Sequence, residues 1–259
     1  MEGVHRVSDV YKLEGKKAIV TGASKGIGAA IADALARQGS EVLLIARDIN
    51  ALDKVASEIN ANKGVAKVYG MDISDHRQIE HFFESGAGGF GKADIFVNNA
   101  GFTVYKSFTQ TSLAEFDSLV ATNVRGALLM IQKVAENMIE RCNGVITFVT
   151  SINALNPLFS QCVYSSTKAM LESIMKSMAV ELAPHGIRVN SVVPGAILTD
   201  MNPHFDNDEN VRATESCIPA GRIGVSEEIA DVVAFVCSDA ARYMYGSSIV
   251  VDGGMLLKR

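Results

Sequence analysis

The sequence predicts a single-domain α/β fold, in which helices cover both faces of one doubly wound parallel sheet. Strand-like and helix-like patterns alternate from about residue 13 onward, and this alternation is typical of a parallel sheet. The strand-like runs are continuously apolar, as expected for strands buried on both faces. A glycine-rich turn at residues 21–28 follows the first of these runs. A Rossmann-like sheet of this kind binds its ligands at the carboxyl ends of its strands.

Each element has its own signal in the first hundred residues. Short apolar runs predict strands at 16–21, 42–46, 65–71 and 93–98. Apolar and small residues at helical spacing predict helices at 27–38, 50–60 and 75–85. Gly39, directly after the first of these helices, is typical of a helix C-cap.

The same signals continue in the rest of the chain. Apolar runs predict strands at 145–150, 187–193 and 248–251. Helical spacing predicts a long helix at 112–142 and further helices at 163–182 and 226–238. No internal repeat and no low-complexity linker interrupts this order, so one domain is expected at residues 13–259, with an N-terminal tail at 1–12.

The segment at residues 199–221 follows neither pattern, because it is polar, irregular and rich in Asn, Asp and Pro. A long loop inside a compact domain is often a lid or a substrate loop, and we expect a mobile substrate loop here. Its acidic residues Asp206, Asp208 and Glu209 are expected to be solvated. They would still disfavour a strongly anionic substrate nearby.

Composition argues against several classes of function. The formal net charge is −5 and there is no basic run, so a nucleic-acid partner is not expected. No apolar stretch reaches the roughly 18 residues of a membrane helix, and residues 1–13 lack a signal-peptide core. We therefore expect a cytoplasmic protein with no membrane partner. The four cysteines are far apart, which favours core thiols over a metal site.

A serine, a tyrosine and a lysine suggest the chemistry. Ser151 lies thirteen residues before Tyr164, and Lys168 lies one helical turn after it. Residues i and i+4 share a helix face, so the ammonium should lower the phenol pKa from about 10 and make Tyr164 a usable acid or base. Ser151 can donate a hydrogen bond to a substrate oxygen. Alone, the pair would also fit an interface tyrosine and a surface lysine.

The glycine turn suggests the cofactor. Gly22, Gly26 and Gly28 form a G-x-x-x-G-x-G pattern between the first strand and the first helix. Such a turn lets the backbone approach a pyrophosphate, which binds the free N–H groups of the helix N-terminus. An ordinary tight turn is the alternative for the isolated motif. Together with the serine, tyrosine and lysine, it predicts a nicotinamide-dependent oxidoreductase.

The residues after the second strand favour NADP(H) over NAD(H). Sites that prefer NAD carry a carboxylate there for the ribose hydroxyls, whereas this chain has Ala46 followed by Arg47. Lys25 adds a second cation within the glycine turn, and two cations would attract a 2′-phosphate. Asp48 lies one step beyond the strand and is expected to point elsewhere. The alternative is that Lys25 and Arg47 are solvated surface charges.

With these motifs in place, the chain resembles the classical short-chain dehydrogenases/reductases over nearly its whole length, from Leu13 onward. It also carries Asn-Asn-Ala-Gly at 98–101, Asn123 in the long helix, and Pro-Gly at 194–195 followed by Thr199. The Ser-Ser-Thr between the tyrosine and the lysine replaces the small residues common in the family, which leaves the chemistry intact.

The resemblance implies a catalytic tetrad of Asn123, Ser151, Tyr164 and Lys168. Tyr164 would be the proton donor in reduction, and Ser151 would polarise the carbonyl. Lys168 would bind the nicotinamide ribose and tune Tyr164, while Asn123 would hold a water that relays protons to Lys168. Ser151, Asn153 and Tyr164 would contact the substrate.

The resemblance also implies the cofactor site and a homotetramer. Asp72 and Ile73 would frame the adenine, although Asp72 would also fit a turn or cap. Ile197 and Thr199 would hold the carboxamide, although Thr199 would also fit a plain loop residue. The full set expected to bind NADP(H) is Gly22, Ser24, Lys25, Gly26, Ile27, Gly28, Arg47, Asp72, Ile73, Asn98, Ala100, Gly101, Tyr164, Lys168, Pro194, Gly195, Ile197 and Thr199.

Three functions remain open at this point. The first is reduction of a small ketone or sugar, or equivalently oxidation of a secondary alcohol or polyol. The second is reduction of a 3-oxoacyl group on an acyl carrier protein, an acidic partner that needs a cationic patch such as Arg125 or Arg141 would supply. The third is a nucleotide sensor without turnover, which would not need Tyr164 and Lys168. The expected pocket comprises Phe102, Thr103, Asn153, Leu155, Phe159 and residues 196–205.

Overall fold

The computed structural model describes residues 9–199 and 207–258. Within these residues, seven parallel strands form one sheet in the order β3-β2-β1-β4-β5-β6-β7. The strands are β1 (Lys17–Thr21), β2 (Glu41–Ala46), β3 (Val65–Gly70), β4 (Ile95–Asn98), β5 (Gly144–Val149), β6 (Ile187–Pro194) and β7 (Ser248–Val251). The predicted doubly wound sheet is confirmed, and each strand lies within about two residues of its predicted position.

Helices cover both faces of this sheet. They are α1 (Gly26–Arg37), α2 (Ile49–Ala61), α3 (His76–Glu84), α4 (Leu113–Val120), α5 (Ala127–Arg141), α6 (Cys162–Leu182), α7 (Asp208–Ser216) and α8 (Ser226–Cys237). The predicted long helix is α4 and α5 joined by a π-helical turn, Ala121–Gly126. π-Helical turns are frequent at functional sites, and this one carries Asn123.

The core consists of two apolar layers, one on each face of the sheet. Buried residues of α1, α2 and α8 pack on one face, and those of α3, α5 and α6 pack on the other. The central strands β4 and β6 are buried at every residue, and β1 and β5 at all but one. β3 lies at the edge, and Val65 on it is exposed. Continuous apolar runs therefore arise where both faces of a strand are covered.

The carboxyl ends of β1 and β4 meet where the strand order reverses, the usual ligand position of such a sheet. The buried Thr21 hydroxyl donates to the Val97 carbonyl oxygen at 3.3 Å. It accepts from the backbone N–H groups of Asn99 and Ala100, each at 3.1 Å. The Asn99 side-chain amide donates back to the carbonyl oxygens of Thr21 and Gly22. These bonds hold the glycine turn against the segment after β4.

Two expectations from the sequence are wrong in part. The segment at 199–221 contains the helix α7, which Asn207 caps by accepting from the Glu209 N–H. Asp208 and Glu209 lie in its first turn, where the helix dipole favours acidic side chains. Asp206, Phe205 and the rest of 200–206 lie outside the described residues, as do residues 1–8 of the tail.

The expectation of core thiols holds for one cysteine. Cys237 is buried, whereas Cys142, Cys162 and Cys217 are exposed. In the described part of the chain, no three His, Cys, Asp or Glu side chains group as a metal site would require. None of the described helices is both long and apolar enough to cross a membrane.

A buried arginine joins β6 to the end of α8. The Arg188 guanidinium donates to the carbonyl oxygens of Val236, Cys237, Ser238 and Ala241 at 2.7–3.2 Å. Carbonyl groups at a helix C-terminus have no partner within the helix, and a cation is favoured there by the helix dipole. Burial lowers the pKa of Arg188, but an arginine stays charged.

Arg188→Met should therefore lower the free energy of unfolding by about 3 kcal/mol, because several buried carbonyl oxygens lose their donor. Urea denaturation followed by circular dichroism measures the change. Arg242→Met is the matched control, since the exposed Arg242 makes one long bond to the Asp239 carbonyl oxygen and should cost less than about 0.5 kcal/mol. Equal losses in the two variants would contradict this role of Arg188.

Candidate active site and cofactor cleft

A cavity of about 750 Å³ opens at the carboxyl ends of the central strands. Residues after β4, β5 and β6 form its walls, together with α6 and α7. Its lining includes Ile27, Asn99, Thr103, Tyr105, Ser151, Asn153, Phe159, Gln161, Tyr164, Lys168, Pro194, Gly195, Ile197, Thr199, Asn210, Thr214 and Met255. The sheet topology thus brings together residues that are more than 200 positions apart in the chain, such as Ile27 and Met255.

Tyr164 and Lys168 lie on the buried face of α6, as the helical spacing predicts. Their exposed fractions are 9% and 4%. The Lys168 Nζ donates to the Val149 carbonyl oxygen at 3.0 Å and lies 5.7 Å from the centroid of the Tyr164 ring. The lysine is therefore next to the phenol ring, but its hydrogen bond goes to the end of β5.

The expected lowering of the Tyr164 pKa is wrong for the protein without cofactor. Burial raises the pKa of Tyr164 to about 12; a hydrogen bond with the Ser151 side chain opposes this, and the nearby Tyr105 adds to it. Burial also lowers the pKa of Lys168 to about 8, against the charge of Glu172. Helical spacing placed the two side chains together but carried no information about how deeply they are buried.

Ser151 lies two residues after the end of β5 and caps a short turn, Ile152–Ala154. Its Oγ accepts from the Asn153 N–H at 3.2 Å. The Asn153 side-chain amide donates to the Gln161 Oε1, and Gln161 also hydrogen-bonds Tyr105. Ser151, Tyr164 and Asn153 therefore lie in one cavity, as predicted.

Asn123 lies in the π-helical turn and is fully buried. Its Oδ1 accepts from the Phe102 N–H at 3.0 Å. Its Nδ2 donates to the Phe102 carbonyl oxygen and to the Thr167 Oγ1. A Cβ at Gly101 would lie 3.2 Å from Asn123 Oδ1 and 3.6 Å from Lys168 Nζ. Asn123 thus joins the segment after β4 to α6 beside Lys168, and its role in proton relay stays a prediction.

The glycine turn has the geometry of a pyrophosphate cradle. Gly22 has a φ of +66°, which favours glycine. A Cβ at Gly28 would lie 2.2 Å from the Gly22 carbonyl oxygen, so no side chain fits there. The residue before α1, Lys25, makes no side-chain capping hydrogen bond. The N–H groups of the first turn thus remain available to an anion.

The end of β6 faces the glycine turn across the cleft. Thr199 lies against it, because a Cβ at Gly26 would be 3.4 Å from the Thr199 Cγ2. Ile197 pairs with Gly224 in an isolated bridge, and the Gly195 N–H donates to the Val251 carbonyl oxygen. Pro194, Gly195, Ile197 and Thr199 line the same cavity as Tyr164 and Lys168.

The residues predicted for the adenosine half are not in the lining of this cavity. Arg47 is exposed. Asp48 caps α2, since its Oδ1 accepts from the Ala51 N–H at 3.0 Å, so this acid points elsewhere as expected. Asp72 Oδ1 accepts from the N–H and the hydroxyl of Ser74, the turn arrangement that was the alternative for this residue. The contacts of Asp72 and of the buried Ile73 with adenine stay predictions.

The segment after β1 and the end of β4 complete the predicted cofactor set. Ser24 is partly buried within the glycine turn, and Ala100 is held by Thr21. Asn98 is buried, and neither polar atom of its side chain has a hydrogen-bond partner among the described residues. Buried amides nearly always have such partners. Asn98 is not among the residues that line the cavity, so its contact with the cofactor stays a prediction.

The sequence analysis missed Tyr105, Gln161 and Met255 as cavity residues. Gln161 lies three residues before Tyr164, so helical spacing could have placed it on the same side. No sequence signal pointed to Tyr105 or Met255, which reach the site only through the folding of the loops. Three predicted pocket residues, Phe102, Leu155 and Leu198, are not among the cavity residues, and Leu155 and Leu198 are 51% and 56% exposed.

Comparison with known proteins agrees with this geometry. A family model described as enoyl-(acyl carrier protein) reductase matches residues 22–256. The chain is 39% identical over 246 residues to a 3-oxoacyl-[acyl-carrier-protein] reductase FabG of Aquifex aeolicus, over 94% of this chain and 98% of the relative. It is also 39% identical to an L-rhamnose 1-dehydrogenase (NAD(P)(+)) of Azotobacter vinelandii, over 93% and 97% of the two chains.

A solved structure is similar over the same range. L-sorbose reductase from Gluconobacter frateurii, complexed with NADPH and L-sorbose, has a TM-score of 0.89 and 32% identity. The similarity covers 95% of this chain and 98% of the reductase. The stretch that the family model matches, residues 22–256, contains all the residues that line the cavity.

Proposed function

Because the chain belongs to the short-chain dehydrogenase/reductase family, we propose that it is an NADP(H)-dependent oxidoreductase of a small carbonyl compound or the matching secondary alcohol, such as a ketone, sugar or polyol. The observation that carries the proposal is the single cavity in which Ser151 and Tyr164 face the glycine turn and Thr199. The oxidoreductase chemistry follows from the family, while the cofactor preference and substrate are proposals.

In the direction of reduction, Ser151 Oγ donates a hydrogen bond to the substrate carbonyl oxygen and stabilises the charge that develops there. The Tyr164 hydroxyl donates its proton to the same oxygen. A pKa of about 12 keeps this hydroxyl protonated in the protein without cofactor. Lys168 binds the nicotinamide ribose beside Tyr164. The nicotinamide, when bound, supplies the hydride for the carbonyl carbon.

Oxidation of an alcohol needs Tyr164 as a base, and burial opposes this role. The positive charge of Lys168, and that of an oxidised nicotinamide, would lower the Tyr164 pKa. In the protein without cofactor, Tyr164 is therefore better suited to donate a proton than to abstract one. A cation bound in the cleft would reduce this difference. Asn123, beside Lys168, is proposed to hold the water through which this proton is exchanged.

NADP(H) is proposed over NAD(H) because no described carboxylate at the end of β2 is available to bind the ribose hydroxyls. Asp48 is occupied as the cap of α2, and Arg47 next to it is exposed. Lys25 in the glycine turn adds a second positive charge. A 2′-phosphate would be attracted by both cations, and nothing described at this strand end would repel it.

The cavity supports a hydroxylated substrate. One part of its wall is polar and contains Thr103, Tyr105, Asn153 and Gln161. Another part is apolar and contains Phe159 and Met255. Several hydrogen-bonding groups near the Ser151 hydroxyl suit the additional hydroxyls of a sugar or polyol. The relatives that are named for rhamnose and sorbose support the same substrate class.

Reduction of a 3-oxoacyl group on an acyl carrier protein is the second candidate, supported by the 39% identity to a FabG reductase. The charges disfavour it. Arg141 lies at the amino ends of the strands, opposite the cavity, where it pairs with Asp94 just before β4. Asp208 and Glu209 lie at the start of α7, whose Asn210 reaches the cavity. An acidic carrier protein would meet these acids at the entrance.

Other features of the protein remain proposals. A nucleotide sensor without turnover is disfavoured, because Tyr164 and Lys168 are both present and adjacent. We propose a cytoplasmic homotetramer, as the family resemblance implies; exposed apolar residues of α4 such as Leu113 and Phe116 suit an interface between subunits. The segment 199–221 is proposed to contact the substrate, since α7 lines the cavity.

Oxidation of NADPH, followed at the nicotinamide absorbance, tests the proposed function with a panel of ketoses, simple ketones and a 3-oxoacyl thioester, with NADH in parallel. Turnover of ketoses with NADPH is the expected result. Turnover confined to the thioester would establish the second candidate instead. Turnover of none of them, with tight cofactor binding, would favour the sensor.

Tyr164→Phe should lower kcat by about 10³-fold, because the reaction loses its proton donor. Cofactor affinity, measured by the fluorescence of bound NADPH, should stay within about twofold. Tyr243→Phe is the control, since Tyr243 is 97% exposed, and its kcat should equal that of the unmodified protein. Near-normal turnover by Tyr164→Phe would refute the assigned proton donor.

Arg47→Asp should lower the ratio of kcat/KM for NADPH over NADH by about tenfold or more, because a charged hydrogen bond is replaced by repulsion. Steady-state kinetics with both cofactors give the ratio. Arg242→Asp makes the same change of charge on the exposed turn after α8 and should leave the ratio unchanged. A ratio that Arg47→Asp leaves unchanged would mean that Arg47 does not select the cofactor.

A further inference from the structure

A buried carboxylate lies next to the catalytic pair and takes no part in the proposed reaction. Glu172 is one helical turn after Lys168 on the same face of α6, and its exposed fraction is 5%. Buried carboxylates are costly unless they are paired or fully hydrogen-bonded. The sequence analysis gave this residue no role.

Both carboxylate oxygens of Glu172 accept hydrogen bonds from hydroxyl groups. Thr150 Oγ1 donates to Oε1 at 2.5 Å, and Ser248 Oγ donates to Oε2 at 2.6 Å. Thr150 directly precedes Ser151, and Ser248 begins β7. One side chain thus joins α6 to the segment after β5 that carries Ser151 and to the edge strand β7.

These hydroxyl groups carry no charge, so they leave the negative charge of Glu172 uncompensated. None of the salt bridges in the described part of the chain involves Glu172. The cation nearest along the buried helix face is Lys168, at the i, i+4 spacing that brings side chains together. In the interior, such charges act on each other more strongly than at the surface.

We propose that Glu172 is a positioning residue that keeps Lys168 protonated and holds its helix face against the segment after β5 that carries Ser151. The Lys168 ammonium already has a neutral acceptor, the Val149 carbonyl oxygen. The carbonyl oxygen carries no formal charge, so Glu172 supplies the negative charge near the ammonium. Thr150 and Ser248 hold the carboxylate in place through their hydrogen bonds. The expected role of Lys168 in the reaction follows from the family membership. The role proposed for Glu172 does not depend on the proposed cofactor preference or substrate.

The other charged groups around α6 are engaged elsewhere. Arg188 of β6 binds carbonyl oxygens at the end of α8. Arg125 of the π-helical turn donates to the Ser74 carbonyl oxygen, and Glu115 of α4 pairs with Lys106. The remaining titratable groups on α4, on α6 and in the turn after it are Asp117, Cys162, Lys176, Glu181 and His185, none of which is buried, together with the buried Tyr164. Among all described residues, Glu172 is the charged group that acts on Lys168, and it raises the Lys168 pKa against the effect of burial.

The test is an NMR titration of the cofactor-free protein with 13C-labelled lysine. The Lys168 signal is assigned by its absence from Lys168→Arg. Its midpoint in the unmodified protein is expected at about pH 8. Glu172→Gln keeps the size of the side chain but removes the charge, and it should lower this midpoint by at least about half a pH unit.

Two further variants separate charge from packing. Ser248→Ala removes a hydrogen bond of the carboxylate but keeps its charge, so the Lys168 midpoint should stay within about 0.2 units. Glu172→Asp keeps the charge but withdraws it by one methylene, and an intermediate midpoint is expected. It also provides the measurement where Glu172→Gln does not fold. An unchanged Lys168 midpoint in Glu172→Gln, or in Glu172→Asp where Glu172→Gln does not fold, would overturn the proposal. A shift in Ser248→Ala as large as that in the Glu172 variant would also overturn it.

The pH profile of turnover provides a functional readout with any substrate that the panel identifies. Loss of the Glu172 charge should move the alkaline limb of kcat/KM to lower pH by the same amount as the NMR midpoint. A role confined to packing would lower kcat/KM at all pH values without moving the limb, and that result would also overturn the proposal. Because the NMR midpoint needs neither cofactor nor substrate, failure of the proposed function leaves this test intact.

Discussion

The site depends on the junction between the carboxyl ends of β1 and β4. The Thr21 hydroxyl uses its proton and its lone pairs to bind Val97, Asn99 and Ala100. The fully buried hydroxyl therefore has its hydrogen-bonding capacity satisfied, which buried polar groups require. This junction places the glycine turn beside the segment after β4, and Asn123 then joins that segment to α6. The glycine turn and α6 are thus linked by a series of hydrogen bonds, the last of which joins the Asn123 amide to the Thr167 hydroxyl.

Burial is the main electrostatic influence on the catalytic pair, and it acts on both partners in the direction of the neutral form. It raises the pKa of Tyr164 and lowers that of Lys168. A protonated phenol suits the proposed donation of a proton, whereas a neutral lysine would weaken the ribose binding and the control of Tyr164 that are proposed for Lys168. A buried negative charge one turn from Lys168 counteracts the second effect. This gives a physical reason for placing a costly carboxylate in the interior of α6.

The differences between expectation and structure have local causes. Within the segment at 199–221, α7 lacks a strong apolar stripe because none of its residues is buried, although Asn210, Ala213 and Thr214 line the cavity. Cysteine is often buried, but Cys142 after α5, Cys162 at the start of α6 and Cys217 after α7 are exposed. Cys237 also ends a helix, α8, yet it is buried and contacts the Thr147 hydroxyl. Composition alone does not distinguish these positions.

The sequence by itself determined the order of the elements, the parallel sheet, the glycine turn and the pairing of Tyr164 with Lys168. These features depend on local spacing and on the burial of whole strands, which periodicity reports directly. Only the tertiary structure decided that Lys168 binds the Val149 carbonyl oxygen, that Asp48 caps α2, and that Tyr105, Gln161 and Met255 share the cavity. It also decided that Glu172 is buried beside Lys168. Contacts of this kind join residues far apart in the chain, and they depend on how deeply each group is removed from water, which no local pattern records.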